Sequence, residues 1–340
     1  RPSVLWRGLQ RCRPSFSHWG VGLLIGLSGL LVEPLAWLQS LLYAQRLRRV
    51  QLPDDPIVII GHWRSGTTFL HQLLACDPAV ATARNTLTMA PQVALLLQPW
   101  IAPLMKVWMT RVRPIDAVPW GPDDPQEDEL GLARLTFDTN MGGMAFPRDY
   151  LANFRRHVLE TSTAYERQWL TFCRLTWLHD GAGKSHWLIK NSVHTARVSL
   201  VLKHFPRAQF VLLRRSPVDS IRSLVQVKQR LGALVGMQPL PDPPTQVEET
   251  ATAHRELLEA FEASRHLIPA QQLLELDYDD LISQPLQAVE GIYTHFDLTS
   301  WPVAEAPIKA RIDRARSYTA DPVQLPPLAE RRLQELMKAS

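Results

Sequence analysis

Apolar and polar positions divide the chain into a short N-terminal stretch of one kind and a long remainder of another. Residues 19–32 read WGVGLLIGLSGLLV, apolar and uncharged, until Glu33-Pro34 interrupts them ahead of a second apolar segment, LAWLQSLLYAQRLRR. These fourteen residues fall short of the roughly 20 that a spanning helix needs. Arg7, Arg11 and Arg13 on one side and Arg46, Arg48 and Arg49 on the other set no inside bias. A signal peptide shares the basic-then-apolar order, but no small-residue cleavage site precedes the second stretch. The pattern predicts a membrane-associating helix pair over 1–50 that lies on or dips into a bilayer, with Trp19, Trp37 and Tyr43 as interfacial anchors. A buried helix packed on the soluble domain, or a true span, are the alternatives.

From residue 51 to 340 the pattern changes. PIVIIG is a β-branched run of the kind that forms a fully buried parallel strand, and a glycine turn and a helical pattern, TTFLHQLLA, follow it. HWLIK leads to Asn191 and a helix, AQFVLLR to Arg215-Ser216-Pro217 and the helix DSIRSLVQVKQRL, and QLLELDY to the helix DDLISQPLQAVEGIYTHF. Recurring strand-helix units predict an α/β domain with a central parallel sheet flanked by helices. The proline-rich QPLPDPPTQ reads as an exposed loop.

Composition adds bounds rather than direction. The 340 residues, 46% of them hydrophobic, suffice for one large domain. A net charge of +4 leans weakly toward anionic partners and does not choose among phosphate ligands, acidic lipids and nucleic acid. Cys12, Cys76 and Cys173 are far apart and match neither a disulfide framework nor a zinc site, which fits a reducing compartment. The first residue is Arg1 rather than Met, so nothing about a leader follows from where the sequence begins.

The candidate chemistry starts at Gly61-His62-Trp63-Arg64-Ser65-Gly66-Thr67-Thr68. At such a strand-to-helix turn, backbone N–H groups and the positive end of the helix dipole converge on an anion. The spacing approaches the nucleotide triphosphate loop GxxxxGK[ST], but Thr67 stands where its lysine belongs and the cation comes earlier, at Arg64. The arrangement R-S-G-T-T resembles the 5′-phosphosulfate loop of sulfotransferases that use 3′-phosphoadenosine 5′-phosphosulfate (PAPS). Downstream, FVLLRRSPVDSIRSL resembles that family's 3′-phosphate motif, with Arg215 and, eight residues on, Ser223 in the places of its arginine and serine. Ser216 departs from the usual acidic or amide residue there. HWLIKNSVH resembles the strand that ends in the family's lysine, here Lys190, and DYDDLISQP its Y-E-D-L-x-x-x-P segment.

This resemblance, in family order from Pro56 to about Leu298, implies a P-loop-like sulfotransferase fold and transfer of a sulfuryl group from PAPS to a hydroxyl, leaving PAP. It implies that Arg64, Ser65, Gly66, Thr67, Thr68, Arg215 and Ser223 bind the donor. Arg64 and Lys190 are then the cations that neutralise charge during in-line transfer, with no metal required. Trp63 is a candidate to stack near the adenine, or a packing residue; His62 reads as a loop histidine serving backbone groups.

A hydroxyl acceptor also needs a base. Several relatives carry a glutamate just after the phosphosulfate helix, where this chain reads VATARNTLTMAP and has none. The substitutes are Glu127, Asp128 and Glu129 in GPDDPQEDELGLA, which serve equally as dipole complements in a first helical turn, and His194, four residues after Lys190. The apolar run over 92–108, with the N-terminal segment, suggests a lipid or glycolipid acceptor; a carbohydrate, a small phenol, or a plain core helix are the alternatives. The rival functions are a nucleotide-dependent kinase, weakened by the missing loop lysine, and a non-catalytic nucleotide-binding membrane scaffold. The expectation is a cytoplasmic enzyme in peripheral contact with the membrane face and with no nucleic-acid partner.

Overall fold

A computed structural model describes residues 1–339 apart from 111, 114, 116, 117 and 316–322, and gives the backbone alone for Trp108 and Ala339. In chain order its elements are α1 (Pro2–Arg11), α2 (Trp19–Arg49), β1 (Ile57–Ile60), α3 (Thr67–Leu74), β2 (Val80–Thr82), α4 (Asn85–Thr88), α5 (Gln98–Trp108) and α6 (Asp128–Leu132). There follow α7 (Met141–Ala145), α8 (Tyr150–Phe154), α9 (Thr163–Asp180), β3 (His186–Lys190), α10 (Val198–His204), β4 (Gln209–Arg214), α11 (Pro217–Val235) and α12 (Pro243–Arg265). The chain ends with β5 (Leu273–Asp277), α13 (Tyr278–Ser283), α14 (Pro285–His295), α15 (Trp301–Ala315) and α16 (Pro327–Ala339).

The five strands form one parallel sheet in the order β2-β3-β1-β4-β5. Every residue of β1 is buried, because both faces of the sheet are covered. Val58 and Ile60 point into a cluster with Trp169, Trp187, Ile189, Phe210 and Leu212. Ile57 and Ile59 point the other way, onto Leu70, Leu188, Val211 and Leu213. From β1 the chain moves outward to β2 and returns through β3, then crosses to β4 and β5 on the other side. Connections from β1 and β4 therefore leave in opposite directions, and the crevice at their carboxyl ends is the topological switch point where ligands bind such sheets.

Four local readings differ from the structure. Pro34 does not end a helix: α2 runs unbroken from Trp19 to Arg49, with proline inside it. Proline's fixed φ is compatible with a helix, so the loss is one backbone hydrogen bond in a segment without glycine or a second breaker beside it. Tyr43 faces inward, its hydroxyl donating to the Leu95 carbonyl, so only Trp19 and Trp37 of the expected anchors are exposed. The helix expected over 279–296 is split at Gln284, because Pro285 opens α14 at its first turn. In QPLPDPPTQ the loop is shorter than expected: Asp242 caps α12, its carboxylate accepting from Thr245 N–H, and Pro243 starts the helix.

Candidate active site

The loop between β1 and α3 is shaped by three residues with positive φ: Gly61 at 132°, Arg64 at 70° and Gly66 at 91°. Two of these positions also exclude a side chain. A Cβ on Gly61 would lie 2.5 Å from the Leu213 carbonyl oxygen, and one on Gly66 would lie 2.6 Å from the Tyr278 ring. Arg64 has no such excuse, and a bulky residue held in the left-handed region marks a turn fixed by its surroundings. Ser65 tightens the turn, its hydroxyl and backbone N–H both donating to the His62 carbonyl. Gly61 N–H donates to the Thr195 hydroxyl at 2.8 Å, which ties the loop to the turn after β3. Gly66 then caps α3, whose first N–H groups have no partner within the helix, as at any helix start.

Onto this loop the residues at the start of α11 converge. Arg64 Nε donates to the Ser223 hydroxyl at 2.9 Å, and Arg215 donates to the Arg64 carbonyl at 2.7 Å. Ser216 caps α11, its hydroxyl receiving the Asp219 N–H, so the serine at this position does the turn-closing work that an acidic or amide residue also does. The Arg215 guanidinium lies 4.2 Å from the Tyr278 ring centre. Tyr278 thus touches both the glycine of the loop and the arginine of α11, and a groove of about 500 Å3 opens beside them between Arg215, Ser216, Pro217 and Asp277. Sequence reasoning assigned Tyr278 no role; the signal for it was its place in D-Y-D-D-L at the end of β5.

A second cluster forms one strand over. Lys190 is the last residue of β3 and pairs in register with Ile59 of β1, so its ammonium emerges at the same edge of the sheet as the loop. It is buried and its Nζ lies 2.5 Å from Glu127 Oε2. The other oxygen of Glu127 accepts from Ser192 N–H at 3.3 Å. The acidic segment is held there by main-chain contacts: Gln126 N–H donates to the Ala83 carbonyl just past β2, and its side chain bonds Asn85.

The three neighbouring carboxyls differ sharply. Glu127 stands before the first turn of α6 as its cap position and faces Lys190. Glu129 is buried and used for structure, accepting from Asn140 N–H at 2.6 Å and Asn191 Nδ2 at 3.0 Å. Burial pushes the Asp128 carboxyl well above the ordinary range, and the charges of Glu127 and Glu129 push it the same way. His194 is not brought to this cluster. Its ring is fully buried against Trp169, 4.9 Å between centres, and burial holds it down to about 3. The turn after Asn191 is a tight 3-10 segment rather than the start of an α-helix, so a spacing of four residues does not put His194 on one face with Lys190. Trp63 packs edge-on to Phe154, and His62 lies 4.3 Å from His254, both histidines kept neutral chiefly by burial. Among the described residues no group of three His, Cys, Asp or Glu side chains gathers as metal ligands do.

A loop of positive-φ residues ahead of α3, an arginine and a serine eight residues apart bonded to it, and a buried lysine at the same edge of the sheet come together here. A sequence profile of the sulfotransferase family matches residues 56–302, the whole of the sheet and both clusters. The chain belongs to the sulfotransferase family. It is 25% identical over 311 residues to the omega-hydroxy-beta-dihydromenaquinone-9 sulfotransferase Stf3 of Mycobacterium bovis, covering 90% of this chain and 77% of that protein. The Stf3 protein of Mycobacterium tuberculosis matches to the same extent. The sulfotransferase shares its fold with sulfotransferase STF9 of Mycobacterium avium, at a TM-score of 0.67, 17% identity and coverage of 88% of this chain and 80% of that one. Sulfotransferase STF1 of Mycobacterium tuberculosis superposes with a TM-score of 0.64 at 19% identity, covering 91% and 90% of the two chains. Membership decides against the kinase reading and supports an enzyme that transfers sulfuryl groups.

Proposed function

We propose that this sulfotransferase takes its sulfuryl group from PAPS and delivers it to the hydroxyl of a lipid-like acceptor, with Glu127 as the general base. The observation that carries the reading is the Lys190 and Glu127 pair at the carboxyl edge of the sheet, beside a loop already bound by Arg215 and Ser223. The residues present suit this donor. Its 5′-phosphosulfate matches the N–H groups of Gly66, Thr67 and Thr68 with the hydroxyls of Ser65, Thr67 and Thr68, and its 3′-phosphate matches a guanidinium and a hydroxyl on one helix start. The donor, when bound, supplies an electrophilic sulfur on a phosphate leaving group.

The protein's own work is positional and electrostatic. Arg64 is already aimed at Ser223, and exchanging that hydroxyl for a phosphate oxygen costs little rearrangement. Lys190 has three donor hydrogens, so it holds Glu127 with one and keeps others for oxygens of the transferring group. Glu127 has one oxygen on Lys190 and one on Ser192 N–H, which leaves lone pairs for the acceptor's proton. The Stf3 relatives are named for a hydroxylated dihydromenaquinone. Together with the apolar α5 on the same excursion of chain as Glu127, that name supports an apolar alcohol as the acceptor class.

Donor identity is tested by calorimetry with PAP and AMP. PAP is expected to bind more tightly by on the order of 2–4 kcal/mol, the scale of a truncated buried charge pair, and Arg215→Ala to remove most of the difference. Equal affinity for the two nucleotides contradicts the assignment of Arg215 and Ser223.

A further inference from the structure

We propose that α2 and α5 together form a docking face for an anionic lipid bilayer, one that lets the protein lie on the membrane without crossing it. This goes beyond the proposed reaction and does not depend on which acceptor it uses. The first half of α2 leaves Leu23, Leu24, Leu27, Leu30 and Leu31 between 52% and 81% exposed, an apolar surface that a monomer in water does not leave open without use. On α5, Ile101 and Met105 face the core while Trp100, Leu104 and Val107, spaced along one helical face, are 67%, 56% and 86% exposed.

A polar clamp ties α2 to the segment just ahead of α5. Gln39 on α2 donates to the Pro91 carbonyl and accepts from Leu95 and Leu96 N–H, directly ahead of α5, and Tyr43 donates to Leu95. This places the second half of α2, with exposed Trp37, Leu41 and Leu42, near the start of α5.

Charge identifies the occupant. Residues 1–53 carry seven arginines and a single carboxylate, Glu33, so this stretch is more positive than the whole chain at +4. Arg46, Arg48 and Arg49 close α2, and Lys106 lies in the last turn of α5. A basic rim round an apolar face, with exposed Trp19, Trp37 and Trp100, fits acidic headgroups over acyl chain. A second copy of the same face brings arginines against arginines. By length and composition alone α2 could cross a bilayer, but its uncharged residues 19–32 rise only about 21 Å as helix, against a hydrocarbon core of about 30 Å, before Glu33. Beyond them the helix is fastened to the catalytic domain by Ala36, Gln39 and Tyr43. Helix α1 folds back along α2, its Leu5 and Pro2 seated on Gly26 and Gly29, which shields one side of the segment and leaves the other to lipid.

The test is vesicle flotation of the full chain, with an equimolar phosphatidylglycerol and phosphatidylcholine mixture against phosphatidylcholine alone. The full chain is expected to float with the acidic vesicles, to do so less with neutral ones, and to lose binding as salt rises. The combined variant Trp100→Ser, Leu104→Ser, Val107→Ser is expected to lower the partition coefficient at least about tenfold, given the apolar area removed. Its PAP affinity, measured alongside, reports that the fold is kept. Equal flotation of variant and unsubstituted chain, or no flotation on acidic vesicles, overturns the proposal. A dimer by light scattering that the variant abolishes also overturns it, since a second copy then covers the face.

Discussion

In the proposed mechanism Glu127 is the residue on which the chemistry turns, because it alone of three consecutive carboxyls bonds Lys190. Replacing it with Gln keeps the volume and the bond to Ser192 N–H but removes the proton acceptor. Turnover is expected to fall by at least roughly a hundredfold with the Kd for PAP unchanged, as for a group that meets the acceptor and not the donor's phosphates. Lys190→Ala is expected to cost a similar factor, the scale for one preorganised transition-state donor. The double variant is expected to lose less than the product of the two, since each residue positions the other. Multiplying effects in single-turnover rates contradict a shared role. That Arg64, Arg215 and Ser223 come together was legible in the sequence from their spacing, Arg64 in a glycine turn and the other two about two helical turns apart, and the structure bonds them to one another. Which carboxyl meets Lys190 was not, because Glu127, Asp128 and Glu129 differ only in which side of a helix start each faces. The burial of His194 was not legible for a related reason, since four residues mean one face only where the chain is an α-helix, and here it is a 3-10 turn.

At the scale of elements, β1 announced itself as a buried β-branched run and β3, β4 and β5 as short apolar runs leading into helices, and the structure has each of them. β2 is three residues long, Val80–Thr82, too short to show a period, and it is a strand because β3 offers it an edge. Proline was over-read in α2 and rightly read in α11, where it opens the helix. What holds α2 in place could not be read at all, since Gln39 sits in an apolar stretch and its three partners lie more than fifty residues away. Gln39→Leu strands two backbone N–H groups and a carbonyl in a buried setting. A loss of about 1–3 kcal/mol is expected, seen as a melting temperature several degrees lower with unchanged PAP affinity. An unaltered melting temperature contradicts the clamp.

Across the whole molecule, the parallel sheet and its switch point gather four chain segments at one edge, which explains why motifs more than a hundred residues apart form one site. The same packing buries several histidines in neutral form. Burial holds His194 to about 3 and His254 to about 4, and His62 and His71 well below the usual value. Below pH 6.5 the unfolded chain takes up protons at these positions while the folded chain does not. Stability is therefore full above that pH and is lost as pH falls toward 4, by about 2 kcal/mol at pH 5 for each of His194 and His254. Urea midpoints at pH 7 and pH 5 check this, and equal midpoints contradict it. The central claim is tested most directly by incubating the purified protein with PAPS labelled in its sulfate and a whole-cell extract, then separating lipid from aqueous phases. The account predicts label in the lipid fraction, dependent on Glu127 and Lys190. Label confined to the aqueous phase contradicts the acceptor class, and no transfer from PAPS into either phase contradicts the donor and the mechanism built on it.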